Sequence, residues 1–103
     1  MSSMFEEATS FDQPLNNWDV SNVTTMSFMF QGATSFDQTL SEWNVTNVNN
    51  MNGMFTAARN FNQDLSSWCV SQFSDKPINF DTDAVSWTLP RPAWGTCPDD
   101  EVL

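Results

Sequence analysis

Apolar residues recur along this chain at one fixed interval. Met4-Phe5, Met29-Phe30 and Met54-Phe55 open three stretches of 25 residues, 4–28, 29–53 and 54–78, with no insertion between them. Eight columns are identical in all three copies: Met4/Met29/Met54, Phe5/Phe30/Phe55, Ala8/Ala33/Ala58, Phe11/Phe36/Phe61, Gln13/Gln38/Gln63, Leu15/Leu40/Leu65, Trp18/Trp43/Trp68 and Val20/Val45/Val70. Seven of these are apolar, so the repeat is a repeat of core positions. A fixed period of this size with an apolar skeleton predicts units that bury their faces only by stacking on neighbours.

Within a unit the spacing changes character. Val23, Met26, Phe30 and Ala33 fall at i, i+3, i+7 and i+10, and Val48, Met51, Phe55 and Ala58 repeat the pattern. That spacing predicts one face of a helix about three turns long. Ser21-Asn22 and Thr46-Asn47 stand before it as N-cap candidates. Further along, Leu15-x-x-Trp18-x-Val20 and its copies at 40–45 and 65–70 contain a Trp-x-Val step of period two, which predicts a short parallel strand. Each coil is therefore expected to run strand, turn, helix, loop, an α/β solenoid with the Trp, Leu and Val columns inside.

The pattern also predicts the ends. Met1-Ser2-Ser3-Met4-Phe5 reads like Met26-Ser27-Phe28-Met29-Phe30, so residues 1–3 are taken as the remnant of a preceding coil and the chain as the carboxy-terminal part of a longer array. A ragged first coil beginning at Met1 is the alternative. In the third copy Phe73 replaces Val, Lys76 replaces Met, and Pro77 would break the helix. The expected domains are a repeat array over 1–78 and a non-repeating cap over 79–103. Phe80, Trp87 and Trp94 would cover the open end of the stack, with Asp99-Asp100-Glu101 as a frayed terminus.

The unit Met-Phe-x-x-Ala-x-x-Phe-Asp/Asn-Gln-x-Leu-x-x-Trp-Asp/Asn-Val-Ser/Thr-Asn-Val, read over residues 1–78, is similar to the BspA-like bacterial surface-protein repeat, also seen in mycoplasma-type lipoproteins. Its Leu-x-x-Trp-x-Val segment resembles the leucine-rich-repeat strand, with Asn22 and Asn47 one place early. Trp68-Cys69-Val70 followed by Pro92-Ala93-Trp94-Gly95-Thr96-Cys97-Pro98 looks like the ending of such arrays in secreted bacterial proteins. The resemblance implies a right-handed, leucine-rich-repeat-like solenoid of three 25-residue coils with a C-terminal cap. It also implies extracellular or cell-surface exposure and a role in surface interaction, and it implies no particular ligand.

Composition narrows the chemistry. Thirteen acidic residues against three basic ones give a formal net charge of −10, which argues against nucleic acid, whose phosphates require clustered Lys and Arg. Histidine and tyrosine are absent, removing His-based acid–base catalysis, Ser-His and Cys-His pairs and the commonest zinc ligand. Repeating carboxylate columns offer no unique pair for glycoside hydrolysis, so no catalytic residue and no cofactor is expected. Residues 1–10 carry Glu6 and Glu7 where a secretory signal has a basic start and an apolar run, and no apolar stretch is long enough to span a bilayer.

Cys69 occupies the column of Asp19 and Asn44, and Cys97 lies in the cap. A disulfide between them is expected and would place the chain in an oxidising compartment; metal binding by two thiols is the alternative, with no His or further Cys to complete a site. The columns Asp12/Asp37/Asn62 and Asp19/Asn44 would bring oxygens about 4.8 Å apart on adjacent coils, where they could bridge Ca²⁺ or simply form turn caps and ladders. Asn22-Val23-Thr24 and Asn44-Val45-Thr46 match the N-glycosylation triplet and are read as repeat residues. In the leucine-rich-repeat arrangement the x positions of Leu-x-x-Trp-x-Val project from the sheet, which assigns a binding face to Asn16, Asn17, Asp19, Ser41, Glu42, Asn44, Ser66 and Ser67. The expected role is adhesion or recognition of a host or neighbouring-cell protein or glycan, with a passive spacer as the alternative.

Overall fold

The computed structural model describes residues 1–98, and the expected Asp99-Asp100-Glu101 tail lies outside them. Each 25-residue unit is a string of tight turns. In the first, the N–H groups of Met4, Glu6, Ala8, Phe11, Trp18 and Val23 each donate to the carbonyl three residues back, and the same six bonds recur at +25 and +50. The turns closed at Met4 and Ala8 have Ser3 and Glu7 at their third position, both with positive φ; Phe28, Gly32, Gly53 and Ala57 repeat this in the next two units. Positive φ at that position defines a type II turn.

The expected α/β leucine-rich-repeat-like solenoid is overturned. Among the described residues there is no α-helix and no strand ladder, only the isolated parallel bridge Thr25↔Asn50 and one residue of 3₁₀ conformation at Pro98. The physical reason lies in the backbone donors. Along 3–8 the N–H groups alternate: Met4, Glu6 and Ala8 close turns in their own unit, whereas Ser3, Phe5 and Glu7 donate to Ser27, Met29 and Gln31 of the next. Phe28, Phe30 and Gly32 do the same toward Asn52, Met54 and Thr56. A helix needs every N–H within its own segment, and a parallel ladder needs bonds exchanged in both directions, whereas these run only from one unit to the next, with the exchange confined to the Thr25↔Asn50 bridge.

Local side chains push the same way. Asp19 Oδ1 takes the Ser21 N–H, Asn44 Oδ1 the Thr46 N–H, Asn50 Oδ1 the Asn52 N–H and Asp64 Oδ1 the Ser66 N–H. Such two-residue loops compete with helix for the backbone. The candidate caps Ser21-Asn22 and Thr46-Asn47 therefore sit in corner turns closed by Val23 and Val48. The Trp-x-Val segments form no ladder because their links between units are made by side chains: Trp43 Nε1 donates to the Leu15 carbonyl and Trp68 Nε1 to the Leu40 carbonyl, both at 2.8 Å.

Stacking of the units aligns the apolar columns. Phe5, Phe30 and Phe55 lie 5.5 and 5.3 Å apart, and Phe11, Phe36 and Phe61 5.8 Å apart, all with nearly parallel rings. Trp43 and Trp68 are 3% and 1% exposed, with Leu15, Leu40, Leu65, Val20, Val45 and Val70 buried beside them. Trp18, expected in the same buried column, is 42% exposed because it lies at the open end of the stack.

The turn pattern continues past residue 78. Phe80 N–H donates to Pro77, Ala84 to Asp81 and Trp87 to Ala84, each one residue later than the 25-residue register requires, and Asn79 and Asp83 take positive φ. The extra residue falls within 74–76. Pro77 thus sits buried where Met26 and Met51 stand in earlier units, and Trp87 takes the Phe11/Phe36/Phe61 column. Asp81 falls in the Phe5/Phe30/Phe55 column, where it ends the ring stack with ion pairs to Lys76 at 2.7 Å and Arg91 at 2.9 Å. Arg91 lies 4.6 Å over the Trp87 ring, and Trp94 meets Phe80 and Phe73 edge-on.

Partial burial pushes the Asp81 carboxyl up, but the hydrogen bonds and charges of Lys76 and Arg91 outweigh it, so the group titrates below the usual range. A depressed folded value stabilises above the unfolded value of about 3.9 and loses that contribution as pH falls through the folded value. Asp81→Asn is therefore expected to lower the thermal midpoint at neutral pH, with the gap to the parent chain closing in strong acid. A gap of constant size across that titration would show that the ion pairs contribute nothing.

Candidate functional site

Two shallow hollows lie side by side on the polar surface. The first, about 360 Å³, is bounded by Ser41, Glu42, Asn44, Thr46 and Ser67, with Trp43, Val45 and the Cys69–Cys97 disulfide also contributing to its lining. The second, about 310 Å³, is lined by Thr39, Ser41, Gln63, Asp64, Ser66, Ser67 and Leu89. Ser41 and Ser67 line both, and Ser67 Oγ donates to the Ser41 carbonyl at 3.1 Å.

Of the eight residues assigned to a binding face, Ser41, Glu42, Asn44, Ser66 and Ser67 line these hollows, whereas Asn16, Asn17 and Asp19 line neither. Asn16 Oδ1 accepts the Glu42 N–H at 3.0 Å and so ties two units together. Asn17 and Asp19 are exposed in the first unit. The sheet from which these residues were expected to project does not exist; corner turns at 41–42 and 66–67 present them instead.

Thr39, Gln63, Asp64 and Leu89 line the second hollow and were not expected there. A signal existed for two of them. Thr39-x-Ser41 and Asp64-x-Ser66 carry the same two-residue loop as Asp19-x-Ser21, with Thr39 Oγ1 taking the Ser41 N–H at 3.3 Å and Asp64 Oδ1 the Ser66 N–H at 2.9 Å. The Ser66 hydroxyl, then its N–H, hold the Asp64 carboxyl below the ordinary range; the Ser21 hydroxyl and N–H do the same for Asp19. Asp64 therefore keeps its negative charge to lower pH than a free carboxyl does.

The Asp12/Asp37/Asn62 column is a ladder. Asp12 Oδ1 accepts the Asp37 N–H and Gln38 Nε2 at 2.9 and 3.0 Å, Asp37 Oδ1 accepts Asn62 N–H and Gln63 Nε2 at 2.9 Å each, and Asn62 Oδ1 accepts Thr88 N–H at 2.8 Å. These oxygens serve the junctions between units. Among the described residues no three His, Cys, Asp or Glu side chains converge to hold a metal ion, and no helix is long and apolar enough to cross a membrane.

No curated protein and no solved structure matches the chain. A family model described as "Mycoplasma protein of unknown function, DUF285" matches residues 1–89, all three units and most of the fourth turn. The match agrees with a mycoplasma-type repeat and does not single out BspA-like or leucine-rich repeats. By this match over most of its length, the chain belongs to the DUF285 family of Mycoplasma proteins.

Proposed function

We propose that the chain is a non-enzymatic recognition module, exposed outside the cell, that binds a neutral or cationic protein or glycan through the two adjoining hollows. The observation carrying this reading is the lining itself: short hydroxyl and amide side chains with Glu42 and Asp64 along one continuous strip of turns. Such groups hydrogen-bond sugar hydroxyls or peptide groups, while no Arg lines the hollows and Trp43, which borders the first, is buried in the core and offers no exposed anchor of the kind that dominates tight interfaces. Single-site affinity is therefore expected to be weak, about high micromolar, with useful binding arising from many copies side by side. The Cys69–Cys97 bridge supports an oxidising, extracellular setting, and the charge of −10 disfavours anionic partners.

The test is a glycan and protein array probed with the oxidised chain in multivalent display, followed by Glu42→Lys with Ser67→Lys. Both positions are exposed, so the fold should survive. Loss of the hits identifies the hollows as the site. Unchanged binding, or no hit at all, would leave a passive spacer as the better reading.

A further inference from the structure

In the two hollows on which the proposed function rests, nearly every side-chain hydrogen is already spent within the chain. Ser66 Oγ donates to Asp64 Oδ1 at 2.6 Å, Ser67 Oγ to the Ser41 carbonyl at 3.1 Å and Thr46 Oγ1 to Asn44 Oδ1 at 2.7 Å. Thr39 Oγ1 donates to Ser41 Oγ, and Gln63 Nε2 gives its hydrogens to Asp37 Oδ1 and the Asp37 carbonyl. A hydroxyl carries one hydrogen and two lone pairs, so each one that donates inward can still accept. The lining side-chain donors left over are the Ser41 hydroxyl and Asn44 Nδ2.

Acceptors are left in excess. Among the described residues both carboxylate oxygens of Glu42, Oδ2 of Asp64 and Oε1 of Gln63 receive no hydrogen bond, and neither carboxylate has an ion pair. No Lys or Arg lines either hollow. Lys76 and Arg91 are held elsewhere, by Asp81. Leu89, 41% exposed, adds an apolar edge to the second hollow.

We infer, resting on the reading of these hollows as a recognition site, that their partner is a polypeptide segment bearing arginine side chains. A guanidinium offers five N–H donors in a fixed fork and accepts nothing, which is the complement of a lining rich in acceptors and poor in donors. Its charge is matched by Glu42 in the first hollow and Asp64 in the second, and charge-assisted bonds of this kind are stronger than neutral ones. The methylenes of its stem find an apolar surface on Leu89. A sugar matches the lining less well. Each of its hydroxyls brings an acceptor together with its donor, and only the Ser41 hydroxyl and Asn44 Nδ2 remain among the lining side chains to meet those acceptors.

The test titrates the ¹⁵N-labelled, oxidised chain at fixed ionic strength with a capped pentapeptide of alternating glycine and arginine, with the same peptide carrying citrulline for arginine, and with cellohexaose. Citrulline keeps the shape of arginine but replaces the guanidinium by a neutral urea that also accepts. The arginine peptide is expected to shift the Ser41, Ser66 and Ser67 amides saturably and to bind about tenfold more tightly than the citrulline peptide, because its bonds to the carboxylates are charge-assisted. General attraction to a chain of net charge −10 is separated by two variant pairs of equal charge. Glu42→Gln with Asp64→Asn should abolish the preference for arginine, and the turn at Asp64 should survive because Asn44 holds Thr46 by the same two bonds as Asp64 holds Ser66. Glu6→Gln with Asp83→Asn, both exposed and outside the hollows, should leave the preference within about twofold. Equal binding by the two peptides, equal weakening by the two variant pairs, or shifts of these amides by cellohexaose alone overturn the inference. No shift with the arginine peptide overturns it as well, whereas the reading of the hollows as a site stands or falls separately, on the array hits and their loss in Glu42→Lys with Ser67→Lys.

Discussion

Trp43→Ala should destabilise the chain by about 3–5 kcal/mol, the usual range for removing a buried Trp. The side chain is 3% exposed and sits in the middle of the stack. Its ring lies 6.4 Å from that of Phe30, and its indole N–H satisfies the Leu15 carbonyl at 2.8 Å. Truncation therefore leaves a cavity and removes one of the two hydrogen bonds that the Leu15 carbonyl accepts, the other coming from the Trp18 N–H. Collapse into the cavity is resisted because turns within each unit and backbone bonds between units hold the surrounding chain. A domain of this size has about 5–15 kcal/mol in all, so the loss should appear as a large drop in denaturant midpoint. Trp18→Ala, at the exposed end, provides the comparison and should cost far less. Equal effects at the two positions would mean that the buried Trp column is not what holds the units together.

Opening the Cys69–Cys97 bridge is the second large effect. It closes a 28-residue span, for which the chain-entropy model gives about 3–4 kcal/mol. The loss should be local first. Val70 N–H to Thr96 and Gly95 N–H to Val70 are the backbone bonds holding the last described segment to the third unit, with Trp94 packed on Phe73. In Cys69→Ser/Cys97→Ser, hydrogen exchange should accelerate at residues 93–97 before it does at Phe30 or Phe55, and the first hollow should lose its Cys97 edge. Two titratable thiols in unreduced protein, or uniform loss of protection along the chain, would contradict this account.

The positions of the core were legible in the sequence, and its geometry was not. Met29, Phe30, Ala33, Phe36, Leu40, Trp43 and Val45 are all buried, as the identical columns required. The helix at Val23, Met26, Phe30 and Ala33 was misread because successive tight turns also return the chain to the same side every three or four residues. Period alone does not separate the two. Ser27-Phe28, Asn49-Asn50 and Asn52-Gly53 carried the missing information, being poor helix formers and good turn formers. Cys69 and Cys97 could be paired because a cysteine replaced a polar column only next to the cap. The fourth turn was hidden by a shift of one residue, which put Asp81 where a Phe was expected and left Phe80 in a Met column. Of the residues assigned to a binding face, Glu42, Asn44, Ser66 and Ser67 are exposed without the sheet that was expected to carry them.

The shift at 74–76 has a bearing on how such a chain can change length. One residue added to an α-helix rotates everything after it by about 100°, which carries an apolar stripe out of the core. Here Ser74, Asp75 and Lys76 are exposed at a corner, and the turns on either side, closed at Phe73 and Phe80, keep their bonds. The inserted residue is absorbed where it enters, and Phe80, Ala84 and Trp87 still reach the interior. A lineage built this way can gain or lose single residues at its corners without re-evolving its core, so its members should differ in unit length more readily than helical arrays do.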